Sequence, residues 1–144
     1  VYVGVVLKGG MAREADGKEG LASFAARLMT RGTKEYTRQQ IEEKFEEIGS
    51  SFVAQASMEA VWLGGNVIAR NLDAYFGLVA SIALRPTFPP EELEKLRREV
   101  LSEIELRRED DQSSARMFFK RFLYGKHRLG RDEAGARASV KAFS

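Results

Sequence analysis

The placement of three β-rich runs among helical signals constrains this fold more than any other sequence feature. Val1–Leu7 is β-branched and apolar almost throughout and ends at Gly9-Gly10, which predicts a strand buried on both faces. The other two runs, Ser51–Ser57 and Ala60–Ile68, flank a turn at Met58-Glu59, and Gly64-Gly65 inside the second marks a bulge or a close backbone approach. Helical spacing fills the rest. The resulting order, β-α-α-β-β-α-α-α, is not that of a doubly wound parallel sheet. It reads as α+β, with an antiparallel-containing sheet packed against several helices.

The helix edges carry their own signals. Met11–Lys18 is a polar loop, after which Leu21, Phe24, Ala25 and Leu28 recur at helical spacing up to Gly32. Thr37 and Gln40 form a capping box, Ile41, Phe45 and Ile48 a stripe, and Gly49 suits a left-handed C′ position. Asn71 is the expected cap of a third helix whose Leu72, Tyr75, Phe76, Val79, Ile82 and Ala83 face the core, with Pro86 as its stop. Pro89-Pro90-Glu91-Glu92 opens a long fourth helix to about Arg108. A fifth follows Asp111, where Ala115, Phe118, Phe119, Phe122 and Leu123 are expected to be core, and Ser139 opens another. Trp62 fits either core or interface. The charges of Arg97–Asp111 read as a solvated face with pairs Glu94–Arg98 and Glu103–Arg107 and a repulsive Glu105–Glu109.

Composition removes several functions. With no Cys there are no disulfides, thiolate nucleophiles or zinc ribbons, and one histidine, His127, cannot build a His-rich metal site. The 23 Lys+Arg against 21 Asp+Glu are interleaved, giving no nucleic-acid-binding patch. No uncharged stretch approaches the roughly 20 residues of a membrane span. There is no phosphate-binding glycine fingerprint, and Ser23, Ser50 and Ser51 lack a base nearby in sequence. The chain opens inside a strand, without Met or a signal sequence, and stops just after a helix start. Residues 1–144 are therefore expected to be one domain, incomplete at both ends.

An ordered series of residues resembles the N-terminal part of a domain of peptidase family M16, the pitrilysin, insulinase and mitochondrial-processing-peptidase family. It comprises Gly20-Leu21-Ala22, Leu28-Met29, Gly32-Thr33, Tyr36-Thr37, Ile48-Gly49-Ser50-Ser51, Pro86-x-Phe88, Glu91-Glu92-Leu93, Glu99–Ile104 and His127-Arg128-Leu129-Gly130-Arg131. The resemblance implies an M16 metallopeptidase-like half-domain, LuxS/processing-peptidase-like in fold. It also implies where a zinc site would lie, on the first helix, as His-x-x-Glu-His. Here those positions hold Ser23, Phe24, Ala25, Ala26 and Arg27. Ala26 cannot take a proton, Ser23 is a poor neutral ligand, and Arg27 puts a fixed cation where a dication would sit. The third ligand of the family corresponds to Glu103, a supporting acid to Leu96, and a strand Asn to Val53.

A carboxylate at Glu103, beside the Leu93/Leu96/Val100 stripe, is expected to be partly buried and to need a cation. Arg27 is the candidate, replacing metal and tying the first helix to the fourth. The resemblance implies a non-catalytic subunit or domain of an M16-type zinc metallopeptidase, without activity by itself. No cofactor is expected in this chain, zinc residing in a catalytic M16 partner with which it forms a dimer enclosing an extended peptide. No nucleic acid or membrane span is expected, His127 belongs to a structural loop, and the bacterial periplasm or envelope is the favoured setting. Two other readings stay open: a zinc-dependent metalloendopeptidase active in its own right, and a stand-alone dimerisation module.

Overall fold

A computed structural model describes residues 1–144. The fold is α+β: three antiparallel strands and six α-helices in the order β1 (Tyr2–Lys8), α1 (Leu21–Met29), α2 (Arg38–Glu47), β2 (Val53–Ala56), β3 (Ala60–Asn66), α3 (Leu72–Leu84), α4 (Pro90–Glu109), α5 (Asp111–Tyr124) and α6 (Arg137–Ala142). No helix is long and apolar enough to cross a membrane.

In the sheet β3 is central, with β1 and β2 at its edges. β1 pairs from Tyr2↔Asn66 to Lys8↔Ala60 without interruption. Gly64-Gly65 therefore marks close approach rather than a bulge: a Cβ on Gly65 would lie 1.9 Å from the Ser51 carbonyl oxygen. The expectation that β1 is buried on both faces is wrong. Val3, Val5 and Leu7 join a core with Ile41 and Phe45 of α2 and Tyr75, Leu78, Val79 and Ile82 of α3, while Tyr2 and Val6 are exposed. These helices cover one sheet face only, and on the other Trp62 stacks on Tyr2 at 5.5 Å. The buried Tyr75 hydroxyl has no hydrogen-bond partner among the chain's own groups.

A second core joins α1 to α4. Phe24 and Leu28 meet Leu96, Val100 and Ile104, closed by Val140 and Phe143. Leu21, grouped with this stripe in the sequence, is half exposed, because it lies in the first turn.

The Thr37/Gln40 capping box is present in full and Gly49 takes φ +61°. Asn71 holds the N-cap position of α3 but makes no side-chain capping bond: its amide donates to the Ile48 carbonyl at 2.8 Å, tying the end of α2 to the 3₁₀ turn before α3. Phe76 is exposed rather than core, on the side of α3 away from the sheet. Met11–Lys18 is not simply a polar loop, since Met11–Arg13 forms a 3₁₀ turn in which Met11 is buried.

The largest correction concerns α5. Phe118, Phe119, Phe122 and Leu123 are all exposed, and the helix contains no buried residue. It touches the body through Ser113, Ser114, Met117 and Lys120, which are the partly covered positions. The apolar stripe is real, but no element lies over it.

Candidate functional site

The start of α1 is set by a residue that carries no helix-start signal in the sequence. Glu14, buried, accepts hydrogen bonds from the Gly20 amide at 3.0 Å and the Ala22 amide at 2.8 Å. A carboxylate there satisfies free donors and complements the positive end of the helix. Gly20 itself has φ +88°, and a Cβ on it would stand 2.6 Å from the Cα of Gly135. The loop before α6 is thereby pressed onto the N-terminus of α1.

α1 then presents Ser23, Ala26 and Arg27 near α4 and β2. A cleft of about 250 Å³ opens between these elements, lined among others by Ser23, Arg27, Gln55, Glu103, Arg107 and Glu133. Arg27 spans it. Its Nη1 donates to Glu103 Oε2 and its Nη2 to Glu103 Oε1, both at 2.8 Å. This is the planar two-point match that guanidinium makes with carboxylate. The Ser23 hydroxyl has Met11 Sδ at 4.0 Å, and Ala26 is buried.

The pair does not stand alone. Two residues past the end of α1, Arg31 grips Glu99 through two hydrogen bonds, 3.0 and 2.5 Å, and lies 3.6 Å from Glu92. Glu92 also receives Lys95 at 2.6 Å and Arg38 at 3.4 Å. Arg27 in the last turn of α1 and Arg31 just beyond its end, four residues apart, thus meet glutamates four apart on antiparallel α4. The matching four-residue spacing is written in the sequence, but nothing local shows that the two intervals face each other.

Burial differs along this seam. The side chains of Arg27 and Glu103 are 33% and 40% exposed, so the pair is worth about 1 kcal/mol or less, not the ~3 kcal/mol of a well-buried one. Arg31 and Glu92 are 9% and 10% exposed. The Arg31 hydrogen bonds hold the Glu99 carboxyl below its usual range against the desolvation that would raise it, helped by the charges of Arg31, Arg38 and Arg27. Glu92 is likewise lowered, first by the Lys95 hydrogen bond.

The other expected charge pairs rearrange because tertiary partners outcompete helical neighbours. Glu94 takes Arg97 at 3.0 Å rather than Arg98, Glu103 takes Arg27 rather than Arg107, and Arg107 lies 3.7 Å from Asp132. Glu105 pairs with Arg137 instead of facing Glu109. His127 caps the 3₁₀ turn Arg128–Gly130, its Nδ1 accepting from the Leu129 amide at 3.2 Å.

Zinc does not fit these residues. No three His, Cys, Asp or Glu side chains come together. An ion brought to Glu103 would have to displace a guanidinium that also lies 3.6 Å from Glu99, and Glu99 is itself held by Arg31, so the site falls short of the three protein ligands that catalytic zinc takes. A larger recess of about 760 Å³ beside the start of α2 is also no metal site, since its Arg38, Glu92 and Lys95 are paired with one another.

The model of the insulinase family, peptidase family M16, matches residues 1–137. A zinc protease of Rickettsia bellii, described as uncharacterised, is 26% identical over all 144 residues, which make up 35% of its length. The chain thus spans about a third of the length of the curated relative it matches. Among solved structures, a peptidase M16 inactive domain from Pseudomonas fluorescens superposes with a TM-score of 0.90 at 18% identity, over 98% of this chain and 34% of that one. The periplasmic protease PqqL from Escherichia coli gives 0.86 at 21% identity, over 98% of this chain and 16% of that one. These likenesses show the fold.

Proposed function

Because the chain belongs to the insulinase family of peptidases, family M16, we propose that it is a non-catalytic module of an M16 peptidase. On this reading it closes a peptide-enclosing chamber with a catalytic partner chain or domain. The observation that carries the reading is the Arg27 guanidinium seated two-pronged on Glu103, beside an alanine at the position where the family keeps its general base. Arg27 supplies as a fixed charge what a metal would supply as a bridge between helices, so the wall keeps its shape without zinc. A partner bearing His-x-x-Glu-His holds the metal and activates water, and an extended peptide lies between the two. The neighbouring inactive domain from Pseudomonas fluorescens supports the non-catalytic role, and the periplasmic PqqL supports an exported setting.

The test is zinc content and peptide cleavage for the full-length protein alone and after co-purification with a histidine-bearing M16 chain. Alone, it is expected to hold no stoichiometric zinc and to cleave nothing; with the partner, one zinc and chelator-sensitive cleavage appear. Zinc-dependent cleavage by the protein alone would overturn the reading.

A further inference from the structure

We propose that the turn Ala15-Asp16-Gly17-Lys18 is a site of self-modification, at which the Gly17 amide nitrogen closes onto the Asp16 side chain and the link between the two residues passes from aspartyl to isoaspartyl. The proposal does not rest on the chamber reading.

The five aspartates of the chain are Asp16, Asp73, Asp110, Asp111 and Asp132, and Asp16 alone precedes a glycine. Ring closure by the following amide nitrogen is obstructed by a side chain on that residue. Gly17 has none, takes φ +80°, and a Cβ built on it would meet nothing within 4 Å. The Asp16 side chain is 91% exposed, so water reaches it freely. The other four are held differently. Asp73 and Asp111 lie in the first turns of α3 and α5. Asp110 accepts from the Ser113 amide at 2.7 Å and Asp132 from the Ala134 amide at 2.9 Å.

Both reacting groups at Asp16-Gly17 have a charged side chain in place. The Gly17 N–H donates to Glu19 Oε1 at 3.1 Å, within the reach of a general base for the proton it removes. The Asp16 Oδ1 pairs with Nη2 of Arg131, a fixed cation where negative charge builds on the carboxyl oxygens during attack. Arg131 is only 19% exposed and is anchored by a second bond, its Nη1 donating to the Glu14 carbonyl at 3.4 Å. The Lys18 amide closes the turn on the Ala15 carbonyl at 3.1 Å. Nucleophile, proton acceptor and cation are thus positioned before reaction.

The steps balance with water as the only other reactant. The Gly17 nitrogen bonds to Asp16 Cγ and gives its proton to Glu19. One carboxyl oxygen departs as water, carrying that proton and one from solvent, and a succinimide ring remains. Water then adds to one of the two ring carbonyls. Breaking the bond from nitrogen to Cγ restores Asp16. Breaking the bond from nitrogen to the main-chain carbonyl carbon leaves the chain running through the Asp16 side chain, with the former main-chain carbonyl as a free carboxylate.

The full-length protein, held at neutral pH and physiological temperature, tests this. Isoaspartate is counted by enzymatic methyl transfer and located by peptide mapping, with Asp16→Glu, which enlarges the ring, as background. Isoaspartate is expected to accumulate at position 16, faster in the folded protein than in the same chain held unfolded in guanidinium chloride. Glu19→Gln should slow it about tenfold or more, and Arg131→Gln should slow it too. No isoaspartate at position 16 would overturn the proposal, as would slower formation in the folded than in the unfolded chain. An equal or faster rate in Glu19→Gln would also overturn it, since the hydrogen bond would then only restrain the turn.

Discussion

α4 and α5 are consecutive helices with comparable apolar stripes, and they meet opposite fates. Leu96, Val100 and Ile104 of α4 are buried against α1 and α6, whereas Phe118, Phe119 and Phe122 of α5 face outward. Periodicity states that a helix has an apolar face; it does not state that the same fold supplies a cover. α4 is held by a second device as well, the charged seam to α1, while α5 turns Ser113, Ser114, Met117 and Lys120 to the body. The difference separates a helix that builds this domain from one that offers a surface.

The contrast can be broken most strongly at Leu96. Leu96→Ala should destabilise the protein by about 3 kcal/mol, read by denaturant unfolding, whereas an alanine at Phe122 should leave monomer stability within about 0.5 kcal/mol. Along the seam, Arg31→Met is expected to cost about 2 kcal/mol because it strips a partner from buried Glu92 and from Glu99. Arg27→Met, at the more exposed end, should cost about 1 kcal/mol or less. Equal losses at the two arginines would erase the distinction between the ends. Acid gives the smallest effect. The folded values of Glu92 and Glu99 are lowered, so their stabilisation is in full force above the unfolded carboxylate value of about 4.3. It is lost as pH falls through the lower folded values. Melting temperature should therefore drop below about pH 4, and less steeply in Arg31→Met.

What the sequence disclosed was local. The capping box of α2, the Pro-Pro-Glu-Glu opening of α4 and the turn at Met58-Glu59 are each written in adjacent residues, and all are present. What it concealed was pairing between distant elements. β1 has the composition of a two-sided strand, but only the order β1-β3-β2 and the placement of α2 and α3 reveal its open face. Asn71 looks like a side-chain cap until the Ile48 carbonyl is brought beside it. Glu14 sits in a polar run and gives no local sign that it closes a helix. At the candidate site the substitutions at Ser23, Ala26 and Arg27 were readable one by one. The role of Arg31 and Glu99 required seeing that two four-residue intervals, far apart in the chain, face each other.

The meeting of Gly20 with Gly135, reinforced by the Ser139 hydroxyl donating to the Glu19 carbonyl at 2.8 Å, fixes an order of events during synthesis. The ribosome delivers α1 and its Glu14 cap early, yet the Gly135 and Ser139 contacts that brace that end arrive more than a hundred residues later. Until then the capped helix lacks this brace, and its apolar side has neither α4 nor Phe143 to rest on. A translation pause before Gly135 would hold the polypeptide in that state, exposed to chaperones and proteases for as long as the pause lasts.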